Sequence, residues 1–380
     1  MDVSDYDIAL EHLETHHSQS HFCVCNDSLF DDSVNEGIYG FPYAGESTKK
    51  TSFWRSISGL ACIKPNDLIF IYRMNGKNSG CKELHGPFVA YTSSGDRAAT
   101  MVDSNSSKKI VLPSGAECRA RLLFSPLCDK MYSIDEPFEL IKAYENKSIW
   151  GYRHPAVMNI GAARKKSITT FTHKQTLDLL KIFKSHSVSR KLFKSKSTIP
   201  SKDCVKLFNG LSKSTTSKKA IINDSYISDN YVNLESWMYA YILNAFVNKN
   251  STFNNKFLAD FDEICKPILS TLNTKFSDLF TDVMLETIIS PHLQDEIDIL
   301  FLSANNEEML VLEVKKDQIS QSDVYQTEKY LDLLNTIFPT REIFGLVLGL
   351  SNPSVSSANP KVLLSTYNII KTPNFCVEFK

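Results

Sequence analysis

The chain has 380 residues, of which 42% are hydrophobic, 22% charged and 11% aromatic. That composition excludes wholesale disorder, and at roughly 150 residues per domain the length allows two or three domains. No apolar run approaches the ~18 residues that span a bilayer, and the acidic opening MDVSDYDIALEHLETHH has neither the cationic nor the apolar region of a secretory signal. The nine cysteines are odd in number and scattered, with no CxxC pair. They predict neither a zinc knuckle nor a disulfide framework, and point to a reducing, cytoplasmic compartment without a membrane partner.

The net charge of −1 conceals an asymmetry. Residues 1–48 hold acids from Asp2 to Glu46 and no Lys or Arg, whereas residues 184–219 are Ser/Thr/Lys-rich and nearly free of acids. A neutral total with a basic middle fits a chain that meets a polyanion on one face, and equally a solvated linker. The basic stretch divides the sequence into an N-terminal domain of 1–183, a linker of 184–224 and a C-terminal domain of 225–380.

In chain order, a helix is predicted from Ser4, as N-cap, to Thr15. Short strands follow in HFCVCN, DLIFIY (67–72), PFVAYTS (87–93), KKIVLP (108–113) and CRARLLF (118–124). They are separated by Gly, Asn and Ser, the pattern of a small barrel or curled sheet. A second helix is predicted over Lys174–Lys184, capped by Thr172. The N-terminal domain is therefore mostly β with flanking helices.

The C-terminal half reads differently. A helix over LESWMYAYILNAF (234–246) and a helix-rich stretch lead to strands VMLETII (283–289), EIDILFLS (296–303) and EMLVLEVK (308–315). A helix over Ser320–Thr336 and the continuous apolar run IFGLVLGL (343–350) follow, the order of an α/β sheet. Glu313 and Lys315 are two residues apart, so on a strand they share a face. If that strand pairs with EIDILFLS, Asp298 reaches the same face. Two carboxylates converging from neighbouring strands form the hard oxygen site that Mg²⁺ or Mn²⁺ prefers, and an adjacent Lys can orient a water or neutralise developing charge.

Asp298 followed about fifteen residues later by Glu313-Val314-Lys315, with Gln326 and Tyr330 on the next helix, resembles the PD-(D/E)XK nuclease superfamily, in particular its NucS-like and Mrr-like members. The resemblance covers roughly 230–350 and implies an αβββαβ restriction-endonuclease-like core. It further implies Asp298 and Glu313 as metal ligands, catalytic roles for Asp298, Glu313, Lys315 and Gln326, and an acid on the first helix. Glu235 fits that last position, with Glu286 as competitor. Ile297 stands where the family name has proline.

Phe22-Cys23-Val24-Cys25-Asn26, Gly37-Ile38-Tyr39-Gly40, the turn Lys64-Pro65-Asn66-Asp67 before an apolar strand, and Gly86-Pro87-Phe88 resemble the PUA-like superfamily, specifically EVE-like and YTH-like domains. Asn66 stands for the usual Gly, tolerable because Asn visits φ > 0. Such domains bind DNA or RNA, and some hold a modified base between aromatic rings. Candidate pocket walls are Trp54, Trp150, Tyr39 and Tyr152, with Arg153, Arg164 and Lys165 placed to meet the phosphate backbone. The two resemblances together imply a Mg²⁺- or Mn²⁺-dependent endonuclease acting on DNA, in the manner of modification-dependent restriction, with a homodimer for cutting both strands. The alternatives are a non-catalytic nucleic-acid-binding protein and an RNA-processing nuclease.

Overall fold

The computed structural model describes residues 1–41, 51–74, 82–91, 99–102, 120–135, 168–171, 173–190, 204–206, 234–247, 252–288, 296–305, 307–351, 355–370 and 376–380. The protein is a mixed α/β chain with two curled sheets, and it separates into two units. One comprises Met1–Ser47 and Gly59–Leu207, the other Thr48–Ser58 and Phe208–Lys380.

In chain order the first part of the sequence forms α1 (Val3–His16), β1 (Ser20–Asn26), α2 (Asp27–Glu36), β2 (Ile38–Phe41), α3 (Thr51–Ala61), β3 (Leu68–Met74), β4 (Lys82–Tyr91), β5 (Ala99–Val102), β6 (Ala120–Pro126), β7 (Met131–Asp135), β8 (Ile168–Phe171), α4 (His173–His186), β9 (Val188–Arg190) and β10 (Cys204–Lys206). The ten strands make one sheet, with the path β10-β5-β6-β4-β3-β1-β8 and with β2, β7 and β9 paired beside it. β1 and β3 run parallel, Phe22 beside Phe70. One face carries Phe22, Leu68, Phe70, Tyr72, Leu84 and Phe171, covered by Leu13 of α1 and by Leu179, Leu180 and Phe183 of α4.

Several expectations shift by local chemistry. α1 begins at Val3 rather than after Ser4, because the Asp2 backbone N–H is taken by the Tyr132 hydroxyl at 3.3 Å while its carboxylate meets Lys130. β4 starts at Lys82, ahead of the predicted Pro87, because Gly86 at φ 155° carries the strand past Phe70, whose ring lies 2.8 Å from where a Cβ would stand. α2 was not foreseen; its buried apolar residues are Phe30 and Val34, one turn apart, with Ser33 buried beside them, and it ends at Gly37 with φ 65°. Asn66 takes φ 72°, and Asp67 closes that turn by accepting the Lys64 N–H at 2.8 Å and the His21 ring at 2.7 Å. Within the basic stretch, β9 pairs with β7 and β10 with β5. Residues 108–113, Thr172, and the linker lysines beyond Arg190 other than Lys206 lie outside the described residues.

The later part forms α5 (Leu234–Val247), α6 (Thr252–Leu269), the short α7 (Phe276–Leu279), β11 (Phe280–Ile288), β12 (Glu296–Ser303), β13 (Glu308–Val314), α8 (Gln321–Ile337), β14 (Glu342–Gly349), β15 (Val362–Ile370) and β16 (Cys376–Phe379). The sheet order is β11-β12-β13-β14-β15-β16. The β13–β14 and β14–β15 pairs are parallel, and the other three pairs antiparallel. Phe246, Phe261, Phe276, Phe301 and Phe379 meet ring to ring, with centroids 4.9–5.8 Å apart, and join α5, α6 and α7 to the sheet. α8 is held at its start by a capping box in which the Ser320 N–H donates to the Asp323 carboxylate at 2.8 Å.

α8 lies close on β14 because Gly345 has no side chain: a Cβ there would stand 2.7 Å from Thr327 Cγ2 and 3.2 Å from Leu331 Cδ1. Gly345→Ala is therefore expected to lift the helix and cost about 1–3 kcal/mol of stability, an overpacking effect read by denaturant unfolding. An unchanged midpoint would show that Thr327 turns aside freely.

Candidate metal and hydrolysis site

The site grows from strand register. β12 and β13 are antiparallel, with Ile299 beside Leu312, which sets Asp298 level with Glu313 at the strand ends. The neighbours Ile297, Ile299, Leu312 and Val314 are fully buried and fix the two strands, leaving the charged residues at the carboxyl ends of β13 and β14. Ligands of open α/β sheets bind outside that edge.

Asp298 Oδ2 accepts the Val314 N–H at 2.8 Å, and the Asp298 N–H points to Glu313 Oε1 at 3.4 Å. Lys315 Nζ donates to Glu313 Oε2 at 3.0 Å and lies 3.8 Å from Asp323, so the residue that caps α8 also faces the site. The Lys315 backbone is clamped on both sides: its N–H donates to the Leu348 carbonyl at 2.7 Å, and its carbonyl accepts the Tyr367 hydroxyl at 2.9 Å.

α5 brings Glu235 to the same place through Tyr239, one turn further along. The Tyr239 hydroxyl donates to Glu235 Oε1 at 2.8 Å and also lies within hydrogen-bonding reach of Asp298. A phenol has one hydrogen. Its one hydrogen can therefore serve only one of the two carboxylates at a time. Tyr239 and Asp323 were not anticipated from the sequence, although the i, i+4 spacing of Glu235 and Tyr239 was legible.

The electrostatics follow from burial. Glu313 is 0% exposed and Asp298 half-buried. Burial first, then the Glu313 charge, raises the Asp298 carboxyl well above its usual range. Burial likewise raises Glu313, with Lys315 opposing it. Burial alone would lower the Lys315 ammonium, but Glu313 and Asp298 outweigh it and hold Lys315 charged. With Glu235 and Asp323, four carboxyl groups lie around the Lys315 ammonium, an acidic excess that a divalent cation would offset. Among the described residues no three His, Cys, Asp or Glu side chains form a ready-made metal cage. The donor set still suits Mg²⁺ or Mn²⁺, which accept one or two carboxylates and fill the remaining positions with water and phosphate oxygens.

The structure brings together Asp298, Glu313, Lys315 and Glu235. Glu286, the competitor of Glu235, instead pairs with Arg55 at 2.6 Å. The Gln326 amide donates to the Tyr330 hydroxyl at 2.6 Å, and that hydroxyl donates to the Glu296 carbonyl at 2.9 Å, bracing α8 on β12. Tyr39, a candidate pocket wall, is 3% exposed on β2, and its hydroxyl donates to the Val24 carbonyl at 3.0 Å, so its ring serves packing. Trp54 falls in α3; its side chain, and Trp150, Tyr152, Arg153, Arg164 and Lys165, lie outside the described residues.

Comparison with protein-family models, with curated proteins and with solved structures found no match. Among the described residues no helix is long and apolar enough to cross a membrane.

Proposed function

We propose that the protein is a metal-dependent endonuclease that hydrolyses DNA phosphodiester bonds, with a restriction-endonuclease-like second unit. The observation that carries this reading is the gathering of carboxyl groups, buried Glu313 with half-buried Asp298 and Glu235, around the Lys315 ammonium at the carboxyl edge of a mixed sheet. Asp298 and Glu313 would hold Mg²⁺ or Mn²⁺, which when bound supplies Lewis acidity toward a phosphoryl oxygen and a more acidic water. Glu313 orients the Lys315 ammonium, and Lys315 places a positive charge where the attacked phosphate gains negative charge. Tyr239 fixes the Glu235 carboxylate toward the cluster.

The first unit, with a PUA-like curled sheet, would read the base and direct the cut to modified DNA, in the manner of restriction. A homodimer in the cytoplasm would bring one site to each strand. The test is incubation of the full chain with Mg²⁺ or Mn²⁺ and matched panels of unmodified DNA, modified DNA and RNA. Metal-dependent cutting of DNA, strongest on a modified panel, is the expected result. Cutting of RNA alone would make it an RNA-processing nuclease, and binding without any cutting would overturn the enzymatic reading.

A further inference from the structure

Both carboxylate oxygens of Glu313 already have a neighbour. Oε2 accepts the Lys315 ammonium at 3.0 Å, and Oε1 faces the Asp298 N–H at 3.4 Å. A cation and an ammonium seated on the same buried carboxylate would stand as like charges at close quarters, and burial strengthens their repulsion. The ammonium therefore needs another acceptor whenever Glu313 serves a metal.

Asp323 offers one. Its Oδ1 lies 3.8 Å from Lys315 Nζ, while its Oδ2 accepts the Ser320 N–H at 2.8 Å and the Ser320 hydroxyl at 2.6 Å. The capping box at the start of α8 thus fixes one oxygen and leaves the other toward the ammonium. The Lys315 and Asp323 side chains are 20% and 19% exposed, so the pair is largely shielded from solvent. Lys315 can exchange one carboxylate for the other without moving its backbone, which is clamped to Leu348 and Tyr367. Its ammonium rides on a flexible stem with rotatable donors.

We propose that Asp323 is a positioning residue: it takes the Lys315 ammonium when Glu313 turns to a metal, and so keeps that positive charge at the site without letting it compete for Glu313. The inference rests on the metal-site reading above and gives Asp323 a role that the reading does not use. The arrangement with Lys315 on Glu313 is then the metal-free one. Asp323 favours metal binding through Lys315 and not only through its own charge, and a double-mutant cycle separates the two contributions.

The experiment uses the full chain and measures Mn²⁺ affinity by calorimetry, with no need for cleavage. Asp323→Asn keeps a carbonyl oxygen for the Ser320 N–H but loses the charge. It is expected to bind Mn²⁺ about tenfold more weakly than the wild type. In Lys315→Met, which has no ammonium to relocate, the same substitution should weaken binding by less than about threefold, the share that acts through space alone. Ser320→Ala weakens the same helix cap and spares the Asp323 charge, so it should lower the melting temperature and leave Mn²⁺ affinity unchanged. A merely structural role for Asp323 would make Ser320→Ala and Asp323→Asn behave alike.

Wild-type affinity in Asp323→Asn, an equal loss with and without Lys315, or a tenfold loss in Ser320→Ala would overturn the inference. If Asp323→Asn does not fold, Asp323→Ser, which keeps a hydroxyl acceptor, is read against the same criteria in both backgrounds. Absence of Mn²⁺ binding in the wild type would end the metal-site reading and this inference with it. Cleavage by the wild type judges the nuclease reading separately: Mn²⁺ binding with the Asp323–Lys315 coupling intact but no cutting would end that reading and leave the role of Asp323 standing.

Discussion

Asp298→Ala, Glu313→Ala and Lys315→Ala are each expected to lower metal-dependent cleavage by about 10²–10³-fold or more, while nucleic-acid binding persists. The three act as one cluster: Asp298 holds the Val314 N–H, Glu313 holds Lys315, and Lys315 is fixed by its backbone to β14 and β15. Because the groups share one electrostatic balance, their losses should not add, and any double variant should be little worse than the worst single one. Cleavage at the wild-type rate by any one of the three, with metal saturating, would show that the assignment is wrong. Loss of solubility in all three would instead mean that the cluster maintains the fold.

The second large effect is on stability, and its sign is opposite to that of an ordinary surface carboxylate. Burial raises Asp298 and Glu313, Asp298 further through the Glu313 charge. The folded, metal-free protein therefore binds more protons at these groups than the unfolded chain. Their contribution is fully present below the ordinary carboxylate pKa of about 4 and is lost as pH rises through the raised values.

Asp298→Asn removes one buried charge. The melting temperature of that variant minus that of the wild type should grow as pH is raised from about 4 toward 8, reaching several degrees in the absence of metal. Adding Mg²⁺ should then stabilise the wild type and do little for the Asp298→Asn variant, since a ligand that binds only the native state shifts unfolding by mass action. A difference that shrinks as pH rises would mean that the two carboxylates are held below, not above, their ordinary range.

The second sheet was the more legible part of the chain. β12, β13 and β14 are apolar runs bounded by charge, and the two-residue period of Glu313 and Lys315 against buried Leu312 and Val314 survives in the structure. α8 was legible from Ser320 and the spacing of Val324, Leu331 and Leu334. What escaped was information carried by non-local pairing. β15 and β16 have no period that distinguishes them from a loop-and-helix end, and they become strands only by pairing beside β14. α2 was hidden because Asp27, Asp31, Asp32 and Glu36 dilute its two buried apolar residues.

At the site, residue types and spacing pointed to Asp298, Glu313 and Lys315, whereas Glu235 was reached only through the nuclease resemblance. The choice between Glu235 and Glu286 needed the third dimension, because only tertiary structure brings Arg55 to Glu286 and Tyr239 toward Asp298. Gln326 shared a helical face with Tyr330 as its spacing required, but the two side chains spend their hydrogen bonds on each other and on Glu296.

The separation between Arg55 and Glu286, 286 − 55 = 231 residues, also has a meaning in time. At roughly 5–20 residues per second, a ribosome releases Arg55 on the order of 10–50 s before Glu286 exists. Over that interval the strands of the first sheet up to β10 are all synthesised and free to pair, whereas Thr48–Ser58 waits for partners not yet translated. The order of synthesis therefore makes the second unit the last to close, on a segment that the nascent chain has carried since its first sixty residues.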